Sequence, residues 1–349
     1  MKIKSLRKLI ATLLNSLILV FLSFYLPVHA VTSVPPNERL VGIAYTLWSI
    51  PAHWTENQCW GTPLTGPYDS RDRRVIRKHA KQLSDAGVDF IWIDWSNQIN
   101  YDPTKVWSGG DQDLIEDATA ILFDEYTKLE KHPKISIFLG VTDSTNNAQV
   151  SALTDGRLKR KADQVYRQYV ANPLYRSLLQ DYLGKPLLVI YTNTPTPWPN
   201  GVPPWNDERF TVRWMTGYVS EQKSLLTSES ERVSKYGYWS WEDRGLQTYP
   251  VFADKPEAMV ICASTRFEEG RGSRNGIPAQ ERQNGATFKK QWQRATDVGV
   301  QFAMVVSWNE WVKSEQPSAE VSKDIEPSKE IGDFYLKLMK EEILKFKGK

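Results

Sequence analysis

Histidine is scarce in this chain, with four residues in 349. His29 lies in the N-terminal leader, His79 and His132 fall in or just after predicted helices, and only His53 sits in a loop. A His-rich zinc or di-metal hydrolase centre has no ligand set to draw on. A Ser-His-Asp or Cys-His triad has one histidine available and no nucleophile-elbow sequence. Cysteine is scarcer still. Cys59 and Cys262 are the two present; in an exported protein they could pair, but a domain of this size does not need the bond. Phosphate-binding signatures are missing. No glycine-rich dinucleotide turn follows the first predicted strand, and the glycine-rich run Gly270 to Gly276 lacks the Walker spacing and reads as a loop. Charge is balanced as well: 44 basic and 41 acidic residues leave a net +3, too little to argue for nucleic acid. No metal and no cofactor is implied. What remains to carry chemistry is carboxylates.

The first residues are a targeting segment. Lys2, Lys4, Arg7 and Lys8 precede an apolar stretch from Leu9 to Leu26, and Val28 and Ala30 supply the small residues of a signal-peptidase site. Residues 1–30 therefore read as a signal peptide and 31–349 as the mature domain. The competing reading is an uncleaved anchor, since the stretch is long for a signal and borderline for a span. Cleavage predicts a secreted, periplasmic or cell-surface protein with no membrane attachment of its own. Oligomeric state is not legible.

Past the leader, strand and helix alternate. Predicted strands cover Leu40–Tyr45, Val88–Ile93, Ile135–Val141, Pro186–Tyr191, Phe210–Trp214, Tyr236–Trp241, Ala258–Ala263 and Phe302–Val306. Several are unbroken apolar runs, the pattern of parallel strands covered on both faces. Between them run helical stripes such as Leu114, Ile115, Ala118, Ile121 and Leu122, or Phe288, Trp292, Ala295 and Val298. Asp69 or Ser70 suits the N-cap of the helix before the second strand. Gly87, Gly184 and Gly299 are expected to end helices. The expected fold is a single (β/α)8 TIM-type barrel with long proline-rich rim loops; an open doubly wound sheet is the alternative. Crossovers after strands four, five and six look irregular, because Thr194 to Pro199 and Pro203-Pro204 cannot form regular helix.

Function in such a barrel belongs at the C-terminal strand ends. Every end but the third carries an aromatic, and most carry a carboxylate or amide. The residues singled out are Trp48, Trp95, Asp143, Tyr191, Trp239, Trp241, Glu242, Trp308, Asn309 and Trp311 as a sugar-binding rim, with Glu310 and Asp94 as carboxyls placed for chemistry. Indole faces match the C–H faces of pyranose rings, and glycosidic cleavage needs two carboxyl groups. The plainer alternative is that the tryptophans cap the core.

The stretch Trp308-Asn309-Glu310-Trp311 resembles the strand-eight motif of glycoside hydrolase family 99 and family 71-like proteins. The pair Glu326-Pro327 is similar to the Glu-Pro that precedes the last helix in that family, here after a longer insert from Glu315 to Ile325. The resemblance implies an exported (β/α)8 enzyme acting on α-linked glycans, with a carbohydrate as its partner. It carries Glu310 over as a catalytic carboxylate. The family's second glutamate, three residues on, is Lys313 here. Asp94, Glu315 and then Glu242 are the remaining candidates for that role. Lys313 also opens a second reading, a barrel that binds carbohydrate without cleaving it. A lyase of the same fold is a third.

Overall fold

The eight long apolar runs pair side by side in parallel. We label the strands β1 (Leu40–Tyr45), β2 (Phe90–Trp95), β3 (Lys134–Gly140), β4 (Lys185–Thr192), β5 (Thr211–Thr216), β6 (Trp239–Ser240), β7 (Ala258–Cys262) and β8 (Phe302–Val306). Their order around the sheet is β7-β8-β1-β2-β3-β4-β5-β6. Sequential neighbours pair at each step, and β8 closes onto β1 with Leu40 opposite Phe302. This is the expected TIM-type barrel, complete except at the β6–β7 seam, where no ladder forms among the described residues. The computed structural model describes residues 32–100, 112–141, 152–192, 203–217, 233–234, 237–243, 246–265, 273–274, 277–278 and 280–349. The leader 1–30, Asp143 and the proline run at 194–199 lie outside them. Among the described residues no helix is long and apolar enough to cross a membrane.

Helices α1 (Arg73–Ala86), α2 (Gln112–Tyr126) and α3 (Arg157–Val165) follow β1, β2 and β3; α4 (Ala286–Val298) precedes β8 and α5 (Phe334–Phe346) follows it. The N-cap of α1 is Asp72, not Asp69 or Ser70: its side chain accepts the Arg74 N–H at 2.8 Å. Gly87 and Gly299 end α1 and α4 at positive φ, as expected. Gly184 does not end a helix. It forms, with Leu183, the turn of a short antiparallel hairpin between Asp181–Tyr182 and β4. Between β6 and β7, Tyr249–Phe252 pairs with Lys255–Pro256 and the described residues form no helix, so the irregular crossover expected there is found.

Alternation along the strands builds two apolar layers. Phe90, Trp92, Phe138, Val189, Met215, Trp239, Val260, Phe302 and Met304 fill the barrel interior. Ile91, Ile93, Trp95, Ile135, Ile137, Ile190, Trp214 and Val305 face the helices. Gly42 is required by this packing, since a Cβ there would lie 2.4 Å from the Phe90 ring. β2 ends two residues later than predicted, so Asp94 and Trp95 are strand residues. Their faces differ. Asp94 pairs in register with the interior residue Phe138, while Trp95 lies in the outer layer.

Candidate active site

Strand β8 stops where its apolar run stops, and the chain turns across the C-terminal mouth of the barrel. The Val306–Ser307 peptide bond is cis. The insert after Glu315 then returns as a buried strap, 321–328. Its backbone pairs with the turn: Ile325 N–H to Ser307 O at 3.0 Å and Glu326 N–H to Trp308 O at 2.9 Å. Asp324 on this strap organises the turn. Its carboxylate accepts the Glu310 N–H at 2.6 Å, the Trp311 N–H at 3.0 Å and the Trp60 indole N–H at 2.7 Å. Those bonds hold Trp311 at φ +59°, a conformation a bulky residue adopts only when its surroundings enforce it. Trp60 stacks on the Trp311 ring at 4.9 Å.

Glu310 is thereby presented from a rigid turn. Its side chain is 5% exposed. Ser307 Oγ lies 2.9 Å from Glu310 Oε2 and 3.0 Å from Asp324 Oδ1. A hydroxyl has one proton to give, so both contacts are satisfied together when one carboxyl is protonated. Burial pushes the Glu310 carboxyl up to about 7; Lys323 opposes that shift, and the charges of Glu315 and Asp324 add to it. Lys323, also from the strap and also buried, places Nζ 3.4 Å from Glu310 Oε2 and 3.4 Å from Glu242 Oε2. Glu242 is fully buried just past β6, next to Asp243, whose carboxylate accepts the Thr248 N–H at 2.9 Å.

The two other predicted carboxyls join the same neighbourhood. Glu315 acts electrostatically on both Glu310 and Asp94. Asp94 accepts the Ser96 N–H at 2.7 Å and is raised above the ordinary aspartate range by burial. Beside Glu310 opens a cavity of about 340 Å³ lined by Trp48, His53, Asn57, Gln58 and Ser314. The Trp48 indole N–H donates to the Glu310 carbonyl at 3.3 Å. Trp241 is half-buried and stacks on Phe138 with centroids 5.4 Å apart, and Tyr191 meets the same ring edge-on at 5.8 Å. Another cavity of about 340 Å³ is lined by Trp54, Glu56, Lys313 and Glu330, and Glu310, Glu315, Asp94 and Glu242 do not line it. Among the described residues no His, Cys, Asp or Glu cluster could hold a metal ion.

Several predicted rim residues have other work. Trp95, Trp239, Trp308 and Trp311 are buried at 0–1% exposure, so their faces pack on protein and not on a ligand. The Trp95 indole donates to Thr119 at 2.9 Å, that of Trp239 to Glu257 at 2.8 Å and that of Trp311 to Glu326 at 2.9 Å. Asn309 is a strand clasp. Its Oδ1 accepts the Thr46 N–H at 2.9 Å and its Nδ2 donates to Thr46 O at 3.1 Å, tying β8 to β1. Glu326 precedes α5 and receives the Tyr68 hydroxyl and the Trp311 indole, and it contacts His79 Nε2 at 2.9 Å. His79 is thus part of the buried support under the site, with Tyr45 2.8 Å from its other nitrogen. Lys313 donates its amine to the Glu56 backbone carbonyl. Cys59 and Cys262 are not paired.

Lys323 and Asp324 went unnoticed in the sequence. The only signal was a Lys-Asp pair between two apolar residues, Val321 and Ile325, in a stretch without helical or strand period.

No protein-family profile matches the chain, and no curated protein matches it. Solved structures do. A family 99 endo-alpha-mannosidase from Bacteroides thetaiotaomicron, in complex with bis-tris-propane, superposes with a TM-score of 0.59 at 17% identity, over 90% of this chain and 99% of that one. A second structure of the endo-alpha-mannosidase gives 0.58 at 15% identity, with the same coverage. A glycoside hydrolase-like protein gives 0.51 at 15%, covering 89% of this chain and 96% of its own. At these identities the likeness is one of fold.

Proposed function

We propose that this protein is an exported glycoside hydrolase that cleaves a polysaccharide or glycan with two carboxyl groups. The observation that supports the reading is Glu310 itself, buried just past the end of β8 beside an aromatic-edged cavity, where burial raises its carboxyl to about 7. A carboxyl held at about 7 is suited to protonate a leaving glycosidic oxygen. Glu310 takes that role. Glu315, whose charge reaches both Glu310 and Asp94, takes the second, as base or nucleophile on the opposite face of the sugar. Glu242 does not, because the Lys323 ammonium occupies the space between it and Glu310. Trp48, Trp241 and Tyr191, the predicted aromatics that keep exposed surface, are the sugar platforms. The fold likeness to an endo-alpha-mannosidase supports an α-linked substrate. The basic and apolar leader supports export, and N-terminal sequencing of the mature protein is expected to begin at Val31.

Lys313 favours a second reading. It stands where the resembled family has a glutamate, and its amine is committed to Glu56. A binding barrel without turnover fits that replacement. A panel of α-linked glycans separates the two. New reducing ends that depend on Glu315 support the hydrolase; calorimetric binding with no reducing ends from any glycan supports the binding protein.

A further inference from the structure

We infer that Lys323 is a positioning residue that couples Glu310 to Glu242, so that the proton affinity of the site carboxyl is set from the β6 side of the barrel. The inference deepens the proposed role of Glu310 and rests on that reading. Lys323 Nζ is equidistant, at 3.4 Å, from one carboxylate oxygen of each glutamate. All three side chains are buried, at 1%, 0% and 5% exposure, so solvent does little to screen them. One cation shared by two carboxylates cannot neutralise both. Each glutamate therefore competes for the ammonium, and each feels the other's charge across a gap no wider than twice that contact distance.

Among the described residues, Glu315 and Asp324 also act on Glu310, and both disfavour its ionised form. Cys262, from the end of β7, feels Glu242, Lys323, Asp243 and Glu310 together, which places all four around the top of the barrel interior. Lys323 cannot drift from this arrangement. Its own N–H donates to Gln316 Oε1 at 2.7 Å, and its carbonyl accepts the Ser307 N–H at 3.3 Å. The ammonium is thus delivered by the same strap that fixes the Glu310 backbone.

Opposite substitutions are expected to move the titration of Glu310 in opposite directions. Removing the cation with Lys323→Met raises its midpoint by about one to three pH units, the range for loss of an adjacent opposite charge. Removing the competitor with Glu242→Gln lowers it by about one unit. Lys323→Arg stays near the wild-type midpoint. The measurement is an infrared pH titration of the protonated carboxyl stretch, with Glu310 identified by subtraction of the Glu310→Gln spectrum. If Lys323→Met does not fold, the isosteric Glu242→Gln and the charge-conserving Lys323→Arg still decide. A downward shift in the first with none in the second supports the coupling. An unmoved midpoint in Glu242→Gln overturns it. This readout needs no substrate. Shifted midpoints in a protein that cleaves no glycan refute the hydrolase reading and leave the coupling standing. Glu310-dependent cleavage with unmoved midpoints does the reverse.

Discussion

Replacing Glu310 with glutamine is expected to stabilise the protein, and by an amount that depends on pH. The Glu310 carboxyl moves from its ordinary 4.5 up to about 7 on folding, chiefly through burial. Between those values the folded protein holds a proton that the unfolded chain has released. Stability from this group is complete below pH 4.5 and is lost as pH rises through 7. At roughly 1.4 kcal/mol per pH unit, the ionised carboxylate costs about 3 kcal/mol by pH 8. Glu310→Gln has the size and hydrogen-bonding reach of the protonated form, and Lys323 keeps Glu242 as a partner. The variant should gain about 2–3 kcal/mol over wild type at pH 8 and almost nothing at pH 4.5. Urea unfolding at both pH values, with equal m-values for the two proteins, reads this directly. Equal stabilities at pH 8, or the same gain at both values, refute the claim that burial holds the proton on Glu310.

Three further outcomes follow from the same contacts. Asn309→Ala strips the buried Thr46 N–H and C=O of their partners; it should cost about 2–5 kcal/mol in chemical denaturation, and a loss under about 1 kcal/mol would argue against the clasp. Trp95→Ala and Trp239→Ala should each cost about 3–5 kcal/mol as core truncations, whereas the half-buried Trp48→Ala and Trp241→Ala should cost distinctly less stability and weaken glycan binding about tenfold, as calorimetry would show. Thiol titration should count two free thiols after denaturation, with buried Cys262 silent in the native protein and Cys59 slow, because burial holds its thiol up at about 11; a single bridged pair would contradict the unpaired arrangement.

The barrel was legible because its strands are local, unbroken apolar runs, and parallel strands need only be long and buried to be seen. Part of the site was legible by the same rule. Phe90, Trp92 and Asp94 share the inner face of β2, so Asp94 had to enter the barrel mouth and Trp95 had to face the helices. The sequence reading placed both on the rim because it ended β2 two residues early. Asn309 looked like a ligand-binding amide because its partner, Thr46, is 263 positions away and meets it only when β8 closes on β1. Lys323 was invisible for the same reason: it meets Glu242 across 81 positions, from a strap with no periodicity to mark it. Side-chain chemistry at strand ends can be listed from sequence, but which of those side chains are already satisfied depends on closure of the barrel.

The most direct test of the account is the rate of glycosidic cleavage by wild type and by Glu310→Gln, on the natural linkage and on an aryl glycoside whose leaving group needs no proton. Loss of the proton donor predicts a fall of about 10²–10⁴-fold on the natural linkage and a far smaller fall on the aryl glycoside. Equal rates for the two proteins on the natural linkage, or equal losses on both substrates, would contradict Glu310 as the acid.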